Sequence, residues 1–325
     1  MSVLRQRGGR DVSGNFLPPP RRTTGTPPQA GGVEYHTLKM YDTLKKALTL
    51  SVTKKPASPR SASIAVSKSG KIYRAGLVET HLLNISSEQT CLALSVLSND
   101  FKVNKIVSLY ENLDKKFSLS PIISKTIVDH GARTGEKISY EVWNMKEKIF
   151  ETEDIASLLP FYRSKMNILE KIKETKVSSN KAVLNKKEDI AKVLKKYAVL
   201  GISRNFPTYD SASGYGTAVL TKSGNIYFGG QYSFPEKQLG LHSEMTAIIS
   251  ALMAKDNEII SLGIASTKFP DSPCNSCGFC RQFIADINVK YGLDIEIFTF
   301  ALNNNSFEKH KMADYLPSVW NPAVK

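Results

Sequence analysis

The hexapeptide KSGKIY at residues 68–73 returns as KSGNIY at 222–227, and the likeness spreads outward from that point. The first copy reads YDTLKKALTLS, SASIAVSKSGKIYRAG, SSEQTCLALSVLSND, SPIISKTIVDHG and IASLLPFYR in that order. The second reads IAKVLKKYAVLGIS, SASGYGTAVLTKSGNIYFGG, HSEMTAIISALMAKD, SPCNSCGFCRQFIADI and MADYLPSVWNP. The order is identical and the spacing between copies hardly drifts, so an internal duplication is the simplest account. Whatever topology one copy adopts, the other is expected to adopt as well. Each copy has the pattern helix, hairpin, helix, strand, helix. β-Branched and aromatic residues flank Lys-Ser-Gly, as a hairpin requires. SEMTAIISALMAKD carries apolar residues at helical spacing. IISLGIAST suits a buried strand, and FCRQFIADINVKYG is helical up to its glycine. The expected class is α/β, with a mixed sheet covered by helices in each copy.

At 325 residues the chain is long enough for two such units, each with its own core. Residues 1–38, rich in Gly, Pro and Arg, bury too little to order themselves and are expected to be a disordered tail. Residues 39–163 hold the first copy, 164–187 a basic helical connector, and 188–325 the second copy. The net charge of +14 sits mainly outside the copies' centres. Residues 1–60 carry 11 Lys and Arg against 3 Asp and Glu, and residues 163–196 carry 11 against 4. Tail and connector are therefore either solvated linkers or a nucleic-acid contact. The apolar runs are shorter than a membrane helix needs, and the N-terminus lacks the apolar core of a secretory signal. A soluble protein is expected, in the cytoplasm or, alternatively, the nucleus. Three of the four cysteines are clustered, which suits free thiols and a metal better than a disulfide framework.

The chemistry concentrates in the second copy. His242 and Glu244 stand at the start of one predicted helix, and Cys274, Cys277 and Cys280 at the start of the next. Helix N-termini stabilise thiolates through unpaired N–H groups and positive potential. One His and two Cys form a zinc set that leaves a fourth position for water, as a catalytic site does. Glu244, two residues from the histidine, is placed to shuttle protons. The pattern H-x-E followed by P-C-x-x-C is that of zinc deaminases. Three cysteines are offered where two are needed, so Cys274 with Cys277 and Cys277 with Cys280 are both possible.

These motifs resemble the cytidine deaminase family, in particular its two-repeat dimeric type. The family's His-Ala-Glu is matched by His242-Ser243-Glu244. Its S-P-C-G-x-C-R-Q-F is echoed by Ser272-Pro273-Cys274 and by the unbroken run Cys277-Gly278-Phe279-Cys280-Arg281-Gln282-Phe283. Its L-L-P-x-x-F ending is matched by Leu316, Pro317 and Trp320. The resemblance implies two tandem three-layer α/β/α sandwiches, each with a mixed five-stranded sheet. It also implies Zn2+ as cofactor, a homodimer, and hydrolysis of the amino group of cytosine in cytidine or deoxycytidine. Cytosine in RNA or single-stranded DNA is the alternative substrate. A zinc-bearing nucleic-acid-binding protein without catalysis is the alternative to an enzyme. The longer run favours His242, Cys277 and Cys280 as ligands, with Cys274 as the alternative to Cys280 and Glu244 catalytic. Arg281 either offsets thiolate charge or faces solvent. Gln231 and Trp320 are the substrate-binding candidates.

The chain also departs from the family. Ser86 stands where His242 does, and SPIISKT has no cysteine, so the first copy, although it keeps Glu88, is expected to be catalytically empty. Ser213-Gly214-Tyr215 lacks the base-stacking Phe of F-x-V, and Gln231-Tyr232-Ser233 lacks the ribose-binding carboxylate of N-x-E. Gln231 still donates and accepts hydrogen bonds.

Overall fold

The computed structural model describes residues 32–113, 118–160, 162, 179–185, 188–208, 213–236 and 239–317. The chain divides into a unit of residues 1–39 and a unit of residues 40–325. Of the first, only the opening of helix α1 (Gly32–Leu48) is described. Residues 1–31 of the tail expected at 1–38 and most of the connector fall outside the described residues, while residues 32–38 open helix α1 and do not belong to a disordered tail. Among the described residues no helix is long and apolar enough to cross a membrane.

In the first copy, hairpin β1 (Ser61–Ser67) and β2 (Ile72–Gly76) is followed by a ribbon of β3 (Val78–Glu79) and β4 (Asn84–Ile85). Helix α2 (Ser87–Leu97), strand β5 (Val103–Tyr110), helix α3 (Pro121–Thr134), strands β6 (Ser139–Trp143) and β7 (Lys148–Thr152) and a 3₁₀ turn at Ile155–Leu158 complete it. The sheet order is β2-β1-β5-β6-β7, with β5 and β6 parallel and the other neighbours antiparallel.

The second copy begins with edge strand β8 (Lys181–Val183) and helix α4 (Ile190–Ile202). Hairpin β9 (Tyr215–Thr221) and β10 (Asn225–Gly230), helix α5 (Ser243–Met253) and strand β11 (Ile259–Ser266) follow. Helix α6 (Gly278–Tyr291), strands β12 (Glu296–Phe300) and β13 (Phe307–Lys311) and the short helix α7 (Met312–Tyr315) end it. Its sheet has the order β13-β12-β11-β9-β10-β8, again with one parallel pair, β11 with β12. The five expected strands are joined by a sixth, β8, because Lys181–Val183 pairs antiparallel with Asn225–Tyr227. That segment lies in the stretch expected to be a helical connector.

The duplication extends to single residues. The hairpin turns share left-handed glycines, Gly70 (φ 82°) and Gly224 (φ 81°), a conformation an L side chain seldom adopts. Helices α2 and α5 are each followed by a left-handed non-glycine residue, Asn99 and Lys255. Next comes an aspartate that reaches back to the hairpin. Asp100 accepts from Ser67, Ser69 and Tyr73, and Asp256 from Thr221, Ser223, Asn225 and Tyr227.

Three apolar clusters place the layers. Leu44, Ala47 and Leu48 of α1 pack on Ala62, Ile64, Val107 and Leu109 of the first sheet. Val193, Leu194 and Ala198 of α4 pack on Ala218, Leu220, Phe228 and Phe300 of the second. The third and largest cluster joins α2, α3, α5 and α6 from both copies in one interior. Each copy alone would leave that face in water, at roughly 25 cal/mol per Å² of apolar surface.

Polar groups tie the same junction. Arg133 of α3, 1% exposed, donates to the carbonyls of Phe206 (3.3 Å), Pro207 (3.1 Å) and Ser233 (2.9 Å) of the second copy. It pairs with Asp129 at 2.5 Å and lies 4.1 Å over the Phe206 ring. His130 donates from Nε2 to the Phe101 carbonyl (2.7 Å), which leaves Nδ1 to accept from the Tyr232 hydroxyl (3.0 Å). Gln89 donates to the Leu239 carbonyl, and Lys125 pairs with Glu236. In the reverse direction, Asp286 of α6 accepts from the amide of His81 (3.0 Å), and Lys290 donates to the Thr53 carbonyl (2.6 Å).

Candidate active site

His242 is the N-cap of α5 and Cys277 the N-cap of α6, both with extended backbone. Capping residues lie outside the helical ladder, so their side chains are free to turn toward each other while the helix N–H groups point at the same space. Cys280, in the first turn of α6, completes the set. The Nδ1 atom of His242 lies 3.5 Å from Cys277 Sγ and 3.2 Å from Cys280 Sγ. All three donor atoms fall within 4.8 Å of one another. Around a tetrahedral zinc ion, Zn–N and Zn–S bonds of ordinary length put N and S about 3.5 Å apart, so this donor set fits that ion. Cys280 is buried, His242 half-buried and Cys277 exposed, which gives the cluster a solvent-facing side.

The electrostatics follow from proximity. Cys277 is held down to about 3, first by a hydrogen bond with the Cys280 thiol and then by His242, against the opposing effect of burial. Cys280 is pushed up by the same bond, by burial and by the Glu244 charge. His242 is raised, chiefly by its bond with Cys277. Cys274 stands apart from the trio. Its thiol is 1% exposed and pushed up to about 12 by burial, with the Glu244 charge adding to the effect.

Glu244, 4% exposed, sits on the first turn of α5 beside this cluster. Its Oε1 accepts from the Ser276 hydroxyl (2.7 Å) and its Oε2 from the Ser243 hydroxyl (3.2 Å). Ser243 Oγ is in turn 2.8 Å from Thr217 Oγ1 on β9. A carboxylate positioned at both oxygens beside a thiol–imidazole trio can accept a proton and return it along one path.

No protein-family model matches the chain. A cytidine deaminase of Vibrio vulnificus is 32% identical over 110 residues, which is 33% of this chain and 32% of that protein. A cytidine deaminase of Cronobacter sakazakii is 31% identical over 102 residues, 31% of this chain and 30% of that protein. Over that stretch the chain is similar to cytidine deaminases. It spans about a third of the length of the curated relatives it matches. Among solved structures, cytidine deaminase from Burkholderia pseudomallei aligns with a TM-score of 0.36 at 21% identity, covering 40% of this chain and 98% of that one.

The equivalent position in the first copy is built differently. Ser86 takes the place of His242 and caps α2 by accepting from the Gln89 amide (3.1 Å). Glu88, fully buried, accepts from Ser108 (2.7 Å), Tyr110 (2.6 Å) and Tyr140 (2.9 Å). Hydroxyls from the sheet thus satisfy the Glu88 carboxylate.

The other sequence candidates are placed as follows. Arg281 donates from Nε to the Ser276 carbonyl (3.0 Å) and from Nη1 to the Tyr315 carbonyl (3.1 Å), and lies 4.4 Å over the Tyr315 ring. Neither expected role, offsetting thiolate charge or facing solvent, describes those contacts. Gln231 is half-buried, its backbone N–H donating to Asn205 Oδ1 (3.3 Å) and its backbone carbonyl accepting from the Phe206 N–H (2.7 Å). Trp320 lies outside the described residues.

Sequence reasoning missed Ser276, Tyr315 and Tyr215. Burial is the main cause raising the Tyr215 hydroxyl, and the charges of Cys274, Glu244 and Cys277 raise it further. The available signal for Ser276 was its place directly before Cys277, where the motif of the resembling family has proline.

Proposed function

We propose that the chain deaminates cytosine in cytidine or deoxycytidine, with Zn2+ held by His242, Cys277 and Cys280 and Glu244 as the proton shuttle. The observation that supports this most is the placement of a buried, doubly hydrogen-bonded carboxylate beside the His/Cys/Cys trio. Zinc in such a site supplies a Lewis acid that brings the ionisation of water into the neutral range. Glu244 would take a proton from the attacking water, pass it to N3 of the base and assist departure of ammonia from C4. Ser243 and Ser276 would hold the carboxylate for both transfers, and Tyr215 would wall the pocket on the side where the family's stacking aromatic is missing. Gln231 is the proposed contact to the sugar, and Trp320 a further one from the C-terminal segment. A homodimer and a cytoplasmic location accompany this reading, as does the domain scheme of an empty copy at 39–163 and a catalytic copy at 188–325.

The test is ammonia release from cytidine, deoxycytidine, their nucleotides and a cytosine-bearing oligonucleotide. Glu244→Ala should remove turnover while retaining metal, because the shuttle is lost and the ligands are not. An active Glu244→Ala protein would show the assignment to be wrong.

A further inference from the structure

We propose that Ser276, fixed by Tyr315 and Arg281, is a positioning residue that aims the Glu244 carboxylate. The inference rests on the catalytic reading of Glu244 given above. A glutamate side chain has three rotatable bonds, so proton transfer along one path requires its carboxylate plane to be held. The shorter of the two hydroxyl contacts comes from Ser276 at 2.7 Å, and it comes from a different loop than the helix carrying Glu244.

That loop is fixed on both sides of the serine. The Ser276 amide donates to the Tyr315 hydroxyl at 2.6 Å. Arg281 holds the Ser276 carbonyl at 3.0 Å and the Tyr315 carbonyl at 3.1 Å, with its guanidinium on the Tyr315 ring. Peptide planes held before and after the residue leave its hydroxyl little choice of direction. Ser276 is itself buried, so water does not compete for the contact.

A serine that merely satisfies a buried polar atom would be expected in both copies. In the empty copy the position two residues before α3 is Leu119, and Glu88 takes its hydroxyls from strands β5 and β6 instead. The brace therefore accompanies the metal-type donor set and is absent where that set is absent.

The experiment measures kcat, KM and zinc content for the zinc-loaded full chain on cytidine, together with the ¹³C resonance of the Glu244 carboxyl, assigned by its loss in Glu244→Gln. Ser276→Ala should lower kcat roughly tenfold with KM within about twofold and zinc retained, since one charge-assisted hydrogen bond is lost. Ser276→Thr should recover most of that loss, and Tyr315→Leu should fall between. The carboxyl resonance should move in Ser276→Ala and return in Ser276→Thr. Unchanged kcat in Ser276→Ala, a rise in KM alone, or loss of zinc would each overturn the proposal. If the unaltered protein deaminates no cytosine compound, the catalytic reading fails by itself. The carboxyl resonance then decides the brace: unmoved in Ser276→Ala, it overturns it.

Discussion

At the scale of single residues, the three-cysteine ladder is where local spacing and fold part company. Sequence spacing makes Cys274–Cys277 and Cys277–Cys280 equivalent, since both are separated by three residues. Helix α6 removes the equivalence because it starts at Gly278, which makes Cys277 a cap and puts Cys280 one turn in, on the face toward His242. Cys274 stays in the preceding loop, buried apart from the trio. Cys277→Ala and Cys280→Ala are therefore expected to lose zinc on dialysis, and Cys274→Ala to keep it, by metal analysis of the purified proteins. Zinc loss from Cys274→Ala with retention in Cys280→Ala would reverse the ligand assignment. The motif residues were legible because they belong to one short pattern. Ser276, Tyr215 and Tyr315 were not, because their roles come from loops and strands that only the fold brings together.

At the scale of elements, the two hairpins show how far a repeat preserves its energetics. Asp100 and Asp256 each gather hydroxyl donors from the hairpin turn and from the tyrosine that follows it. Burial alone would raise both carboxyl groups, but the hydroxyl bonds at Asp100, and at Asp256 the Asn225 amide together with the hydroxyls, outweigh it and hold them below the ordinary aspartate range. A depressed folded-state pKa gives stability that is complete above the unfolded value, about 3.9, and is lost as pH falls through the folded one. Asp256→Asn should accordingly melt at a lower temperature than the unaltered chain at pH 7, and the gap should narrow as pH drops below about 4. A gap independent of pH would mean that the charge contributes nothing. The hairpin, the helix after it, the next strand and the following helix of each copy were readable from periodicity and from Lys-Ser-Gly, whereas β6, β7, β12 and β13 were not read that way. Strand β8 was not: Lys181-Ala182-Val183 is too short to show a period and sits in a lysine-rich stretch, so only its pairing with β10 reveals it.

At the scale of the molecule, the two copies share their largest apolar cluster, and Arg133 is the chief polar tie across it. Arg133→Met would leave the buried Asp129 carboxyl without its cationic partner and three carbonyls without their donor. The expected cost is about 3–5 kcal/mol, the range for breaking one side of a buried pair. Because the interior is common to both copies, urea unfolding should remain a single transition followed equally by probes in either copy. Two separated transitions would mean that the copies are independent domains. A chain beginning near residue 180 would expose the faces of α5 and α6 now covered by α2 and α3, and should be insoluble or only partly folded.

The hydroxyls around Glu88 set what the first copy could be made to do. A His/Cys/Cys set like that of the second copy would have to be added beside a carboxylate already bound by Tyr110 and Tyr140. Removing the tyrosines to free that carboxylate would strand it, buried, with fewer donors. The same glutamate position is thus a knot tying strands in one copy, while in the other it is held by two serines and left beside a donor set that suits a metal.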